Sequence, residues 1–356
     1  CKIPAGNYAG FIDGLSGAGN LYRLTESTDD VTLQYVDLDA RLSSLQNQLD
    51  RLEELAAEML GMEAAMFVSS GTMGNQLALM THTRRGDEAI VSAESHIFHH
   101  EVGAAAVLSG LNLRTISFPD GIYTAEKIEE AIRPDDIHEP PTTLICLENA
   151  LANGRVVPLE NMREIHEMAK RHGIPVHMDG ARLFNAATAL KVPVTQLTAC
   201  VDSVSCCLSK GLCAPVGSVL CGKAQWIKRA RKYRKMLGGG MRQTGFLAAA
   251  GILSLTEMTG RLEEDHQNAR YLAKLLGAIE GISVDQKAVQ INMVFARFDR
   301  GDLFHLQSWL KEQDVLIGDP EGSEIRFVTH WGITSGDVEH LAELLKVYLN
   351  RFPRKG

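Results

Sequence analysis

Apolar positions recur along this chain in two alternating periods. Leu45, Leu49, Leu52, Ala56 and Met59 repeat at helical spacing until Gly61 stops the run. Ahead of it, residues 1–40 show no clear period and are broken by Gly6, Gly10, Gly14, Gly17 and Gly19, which predicts an irregular arm with a short helix near its end. Beyond Gly61, short apolar and β-branched runs alternate with helical patterns. The pattern predicts a strand over Ala64–Ser69, a helix over Met73–Thr83, a strand over Ala89–Val91 and an alanine-rich helix over His96–Ser109. Next come strand Leu113–Ser117, helix Ala125–Ile132, strand Thr143–Leu147, helix Leu159–His172 and strand Ile174–Met178. Strands Val201–Cys207 and Ser218–Cys221 close the series. Such alternation predicts an α/β domain around a mostly parallel sheet with helices on both faces. Helices over Ala224–Met236, Thr244–Thr259 and Leu262–Ile279 follow. Strand Asn292–Phe298, helix Asp302–Glu312, strand Glu324–Val328 and helix Gly336–Asn350 then read as a small α+β domain. We place the boundaries at an arm over residues 1–42, a large domain over 43–259 and a small domain over 260–356.

A chain of 356 residues is long enough for this division and for a sizeable core. Its net charge of −8 argues against a nucleic-acid or anionic-membrane partner, though local arginines can still capture a phosphate or a carboxylate. Most of the seven cysteines sit in apolar runs such as Val204-Ser205-Cys206-Cys207-Leu208, with no CxxC pair, as expected of reduced cysteines in a cytoplasmic protein. No apolar run approaches membrane-spanning length, and the first residues lack the pattern of a signal peptide.

Three features carry chemistry. Ser69-Ser70-Gly71-Thr72-Met73-Gly74-Asn75 joins a strand to a helix, where free N–H groups and the helix dipole favour a phosphate and the Thr72 hydroxyl adds a donor; an ordinary glycine turn is the competing reading. Asp179 ends strand Ile174–Met178, at the sheet edge where α/β folds bind ligands, although a helix N-cap would also place an aspartate there. Lys210 lies between the strand Val201–Cys207 and Gly211, where burial would lower its pKa and make the amine nucleophilic toward an aldehyde. A phosphate cradle, a strand-end aspartate and a buried lysine are together the parts that pyridoxal 5′-phosphate requires. A nicotinamide-binding fold is excluded, because the first glycine loop lacks GxGxxG and its acidic partner.

In these segments the chain resembles the threonine aldolase branch of the β-eliminating lyase family, which has the α/β aspartate-aminotransferase-like fold (fold type I). The likeness runs over residues 48–350. It is carried by Ser70-Gly71-Thr72-Met73-Gly74-Asn75-Gln76, Ser95-His96-Ile97-Phe98, His177-Met178-Asp179-Gly180-Ala181-Arg182-Leu183 and Leu208-Ser209-Lys210-Gly211-Leu212-Cys213-Ala214-Pro215-Val216-Gly217-Ser218. Met236-Leu237-Gly238-Gly239-Gly240-Met241-Arg242-Gln243 and Ile325-Arg326-Phe327-Val328-Thr329-His330 add to it. The resemblance implies that Gly71 and Thr72 bind the cofactor phosphate, His96 stacks on the pyridine ring, Asp179 pairs with the ring nitrogen and Lys210 holds the aldehyde as a Schiff base. It further implies that Arg182 and Arg326 take the substrate carboxylate. Arg242 would reach the site from a neighbouring subunit of a homo-oligomer, a dimer or tetramer with active sites at the subunit interface. The implied reaction is retro-aldol cleavage of an L-β-hydroxy-α-amino acid such as threonine, allo-threonine or phenylserine to glycine and an aldehyde.

Two departures bear on that reaction. The family opens with Arg-Ser-Asp-Thr, whose serine helps hold the substrate; here the arm reads Gly14-Leu15-Ser16-Gly17-Ala18-Gly19-Asn20, with Ser16 as the stand-in. Family aldolases also carry Glu-Asn-Thr-His-Asn after the central strand, where this chain has Glu148-Asn149-Ala150-Leu151-Ala152-Asn153-Gly154 in a longer loop. Leu151 replaces the histidine that assists removal of the β-hydroxyl proton, and a leucine is no base. His100 stands where the family has a large aromatic, so it, or a water held with His99, is the candidate replacement base; a pair of exposed helix residues is the competing reading. The alternative is cleavage of Cα–H instead, in β-elimination, racemisation or transamination. A binding protein that merely retains the fold is disfavoured by the intact cofactor-facing residues. The run His96-Ile97-Phe98-His99-His100-Glu101 has the spacing of a helical metal site, but the stacking role of His96 competes, and no metal is expected.

Overall fold

The computed structural model describes the backbone of residues 31–352 and side chains from residue 43 onward. Ser16 therefore lies outside the described residues. By contacts the chain divides into residues 1–44 and 45–356, and the second unit carries both sheets. The first described element is α1 (Val31–Met59), which starts well before the predicted helix at Leu45.

Strands β1 (Ala64–Val68), β2 (Glu88–Ser92), β3 (Asn112–Ile116), β4 (Thr142–Glu148), β5 (Val176–Asp179), β6 (Ser203–Cys207) and β7 (Ser218–Gly222) form one sheet in the order β1-β7-β6-β5-β4-β2-β3. The pairs from β3 through β6 are parallel, and β7 runs antiparallel to both its neighbours. Helices α2 (Gly71–His82), α3 (His96–His99), α4 (Ala125–Glu129), α5 (Leu159–His172), α6 (Leu183–Leu190), α7 (Val194–Thr198) and α8 (Ala224–Met236) are interleaved with these strands. Two of them, α6 and α7, have no counterpart in the predicted elements.

Strand side chains alternate between faces. On one face Ile145, Leu147, Val176, Met178, Val204 and Cys206 join Leu52, Leu55 and Ala56 of α1 and Ile165 and Met168 of α5 in the main core. The opposite face of the two central strands is polar: His177 and Asp179 on β5, Ser203 and Ser205 on β6, all buried. Helix α2 covers that face at very short range. A Cβ at Gly74 would stand 2.2 Å from Ser205 Oγ, so glycine is what permits the approach. Of the cysteines among the described residues, Cys146, Cys200, Cys206, Cys207 and Cys221 are buried and Cys213 is exposed.

After α9 (Gly245–Leu253) the chain continues through a π turn over Ser254–Met258 and a 3-10 turn over Thr259–Arg261 into α10 (Leu262–Gly277). A three-stranded antiparallel sheet follows, ordered β10-β9-β8, from β8 (Ile282–Val284), β9 (Met293–Phe298) and β10 (Glu324–Val328). Helices α11 (Leu303–Lys311) and α12 (Ser335–Arg351) accompany it, the latter opened by a Thr334–Asp337 capping box. Its core gathers Leu272 and Leu276 of α10, Val294 and Ala296 of β9, Ile325 and Phe327 of β10, and Leu345 and Tyr348 of α12. Because Ile325 and Phe327 point inward, Arg326 between them points out.

The largest difference from the predicted elements falls at residues 96–109. Instead of one helix, α3 lasts four residues and a separate π-turn runs over Ala105–Ser109. Between them the backbone reverses at Val102 and Gly103, whose φ angles are +55° and +68°. This reversal takes Glu101 into the interior.

Candidate active site

A cleft of about 1550 Å³ opens between the carboxyl ends of the parallel strands and the outward face of β10, with His96, His100, Leu151, Asp179, Arg182, Lys210 and Arg326 on its walls. Six of these were singled out in the sequence for a catalytic or binding role, and Leu151 for the base it replaces.

Asp179 is placed by β5, with its side chain on the polar face and buried. Its Oδ1 accepts from the Ala181 N–H at 3.0 Å and its Oδ2 from Asn75 Nδ2 at 2.7 Å. The neighbouring strand sets Glu148 in register with it. Glu148 is also buried, and its Oε2 accepts from the His96 N–H at 3.1 Å. Burial, and next the Asp179 charge, push the Glu148 carboxyl up to about 8. At neutral pH, Glu148 therefore holds its proton.

His96 begins α3 and is half-buried, with Nδ1 at 3.0 Å from Glu101 Oε1. That hydrogen bond is the main cause of its raised pKa, opposed by burial and helped by the Asp179 charge. Glu101 accepts two further bonds, from Asn75 Nδ2 at 2.8 Å and Gln76 Nε2 at 2.6 Å. Ligand atoms of His96, Glu101 and Asp179 come within 4.8 Å of one another, but the Asn75 amide donates to both carboxylates. His99 and His100 are not part of this group. They are exposed on the cleft wall, with the His100 ring centroid 5.4 Å from that of His96 and 6.1 Å from that of His99.

The glycine loop forms the N-terminus of α2. Ser70 caps it, its hydroxyl accepting from the Met73 N–H at 3.1 Å. The N–H groups of Gly71 and Thr72 have no intrahelical acceptor, as in any first turn. A Cβ on Gly71 would stand 2.8 Å from Cys207 Sγ, which sets this turn against the end of β6, just before the loop that bears Lys210. That loop is closed by the Leu208 N–H to Gly217 O bond at 3.0 Å and the Cys213 N–H to Lys210 O bond at 3.0 Å. Lys210 is exposed in the open cleft, not buried as its sequence context suggested, because the strand ends at Cys207 and the loop turns the side chain outward.

Arg182 follows β5, and Arg326 faces it from β10 across the cleft. Burial, and next the Arg326 charge, pull the Arg182 guanidinium below its usual range, and its buried Nε has no hydrogen-bond partner. Two like charges held together in this way call for an anion between them. Leu151 is buried in the wall, in a turn closed by its N–H to Arg155 O at 2.9 Å, and presents no polar group. Arg242 is exposed in the segment between α8 and α9 and does not line this cleft.

Asn75, Gln76, Glu101, Glu148 and His177 were not picked out in the sequence as site residues. The signal available for them was polarity within otherwise apolar patterns: His177 inside a buried strand, and Asn75 and Gln76 opening a helix against it.

The chain is similar to known proteins. The model of the beta-eliminating lyase family matches residues 44–299, and a domain of unknown function matches residues 1–68. A probable low-specificity L-threonine aldolase 2 from Arabidopsis thaliana is 44% identical over 300 residues, covering 82% of this chain and 84% of that protein. The low specificity L-threonine aldolase of Escherichia coli (strain K12) is 40% identical over 304 residues, covering 85% and 90%. Among solved structures, the threonine aldolase of Leishmania major superposes with a TM-score of 0.72 at 22% identity, over 84% of this chain and 88% of that one, which extends the likeness to the fold. The chain belongs to the beta-eliminating lyase family, in its threonine aldolase branch, and has the fold type I architecture.

Proposed function

We infer that the protein is a pyridoxal 5′-phosphate-dependent lyase that cleaves L-β-hydroxy-α-amino acids of the threonine, allo-threonine or phenylserine type to glycine and an aldehyde. One observation carries this reading: the Lys210 amine, the buried Asp179 carboxylate and the Arg182–Arg326 pair meet in one cleft. The names of its close relatives point the same way.

The residues fit the cofactor. The uncapped N–H groups of Gly71 and Thr72 suit a phosphate, and Asp179, held by two donors, suits a protonated ring nitrogen. The half-buried His96 imidazole suits a ring face, and Lys210 suits the aldehyde carbon. Bound pyridoxal phosphate supplies an aldehyde for amines and a ring that accepts the electron pair of the breaking bond.

The protein's own groups do the rest. Arg182 and Arg326 grip the substrate carboxylate and so orient the bonds at Cα. Asp179, fixed by the Ala181 N–H and the Asn75 amide, faces the ring nitrogen. With Leu151 in the histidine's place, His100, or a water held by His99 and His100, takes the β-hydroxyl proton. Arg242 acts from a neighbouring subunit of a dimer or tetramer, and Ser16 of the arm helps hold the carboxylate. The arm, large and small domains divide at residues 42 and 259, and the compartment is the cytoplasm. Among the described residues no helix is long and apolar enough to cross a membrane.

The test is product analysis with threonine, phenylserine, serine and alanine, together with borohydride reduction and peptide mapping. Glycine plus aldehyde and a pyridoxyl group on Lys210 are expected. Exchange of the Cα proton without glycine, or an adduct on another lysine, overturns the reading.

A further inference from the structure

Behind Asp179 lies a set of buried polar groups that neither the carboxylate grip nor the proton transfer uses. Asn75 is at its centre. Its Nδ2 is 2.7 Å from Asp179 Oδ2 and 2.8 Å from Glu101 Oε1, so each of its two hydrogens serves one carboxylate. Turning the amide over would put its oxygen against two carboxylates, so the orientation is fixed. Oδ1 is thereby directed at His177 Nε2, 3.3 Å away, and must accept there.

The donor and acceptor inventory then settles everything behind it. His177 carries its proton on Nε2, so Nδ1 accepts from the Ser203 hydroxyl at 2.9 Å. Ser203 has no further hydrogen to give, so His82 Nε2, at 2.8 Å, donates to it. Both imidazoles are neutral, held down by burial to about 4 at His177 and about 3 at His82. Asn75 and His82 are seven residues apart on α2 and so share the face laid on β5 and β6.

We propose that Asn75 is a positioning residue: its amide locks the ring-nitrogen carboxylate, Asp179, and the ring-face imidazole, His96 through Glu101, into one unit, and sets the direction of the His177–Ser203–His82 chain behind it. The donated bond stabilises Asp179 as an anion and so leaves the shared proton on the pyridine nitrogen. Neither Asn75 nor Glu101 needs to touch the cofactor. The inference rests on the pairing of Asp179 with that nitrogen.

The experiment is ¹⁵N NMR of the holoenzyme loaded with ring-¹⁵N pyridoxal phosphate. Asn75→Leu keeps the volume and removes the amide. Its pyridine nitrogen signal is expected to move toward the unprotonated position, and its cofactor dissociation constant to rise about tenfold or more. Asp179→Asn is the control. An Asp179→Asn signal equal to the parent's overturns the site assignment and this inference with it. A changed Asp179→Asn signal beside an unchanged Asn75→Leu signal overturns the inference alone. Should Asn75→Leu not fold, ring-¹⁵N histidine spectra of the parent decide: His177 and His82 must both be Nε2–H tautomers, and a His177 protonated on Nδ1 overturns the proposal.

Discussion

Glu148 makes the site's electrostatics measurable as stability. In the folded protein its carboxyl is raised from 4.5 to about 8, first by burial and then by Asp179. A carboxyl raised on folding is protonated in the native state and ionised in the unfolded chain between these values. Its contribution is therefore complete below about 4.5 and is lost as pH rises through about 8. One proton costs about 1.4 kcal/mol per pH unit. Between pH 6.5 and 8.0 the loss from Glu148 is roughly 1.5–2 kcal/mol, allowing for partial ionisation near the upper end. His82, His177 and His266 act the other way. Their folded pKa values are lowered to about 3, 4 and 4, so their contribution is present above 6.5 and is lost in acid, outside this window. His96 is raised and adds a falling slope of its own, so the comparison has to be between proteins. Glu148→Gln mimics the neutral acid and can still accept the His96 N–H. Urea unfolding of cofactor-free parent and Glu148→Gln protein, at pH 6.5 and 8.0 and equal concentration, isolates the carboxyl. The parent should lose about 1.5–2 kcal/mol more than the variant over that interval. Equal losses would refute a neutral Glu148.

Three further outcomes follow from the geometry. His100→Phe should lower cleavage of β-hydroxy amino acids by about 10²-fold or more while leaving cofactor absorbance unchanged, because it removes the base proposed to compensate for Leu151; cleavage equal to the parent's would exclude that role. Arg326→Ala should raise KM for the amino acid by roughly tenfold or more without loss of cofactor, as expected when one half of a charged clamp is removed; an unchanged KM would take Arg326 out of the clamp. Gly74→Ala should cost about 1–3 kcal/mol in denaturation, because its Cβ would overlap Ser205 Oγ, and the double variant with Ser205→Gly should recover most of that loss.

The elements that could be read from the sequence were those whose periodicity is set by one apolar face. Helix α8 spans Ala224–Met236, as its pattern predicted, because Ile227 and Ala230, flanked by Trp226 and Tyr233, pack on β1 and β7. Short elements escaped: α6, α7 and β8 are too brief to establish a period. The alanine-rich run after His96 read as helix because alanine favours it, yet the chain breaks there so that Glu101 can meet Asn75, Gln76 and His96, a tertiary demand that overrides local propensity. At the site, Lys210 and Asp179 were legible because each sits where a strand ends. The buried state expected of Lys210 was not observed, since strand context does not reveal where a loop will aim a side chain. Asn75 and Glu148 were invisible as actors because their roles depend on neighbours that are far away in sequence.

The close seat of α2 on β6, made by Gly74, also divides the cleft mechanically. With no space at that contact, and with buried bonds from Asn75 and His82 crossing it, α2, β5 and β6 form one jaw that carries the glycine turn and Asp179 together. Arg326 stands on the other jaw, a strand of the three-stranded sheet with its own core. Arg182, which follows β5, belongs to the first jaw, so the carboxylate grip spans both cores. The two arginines thus rest on separately packed sheets, whereas Asp179 and the glycine turn rest on one.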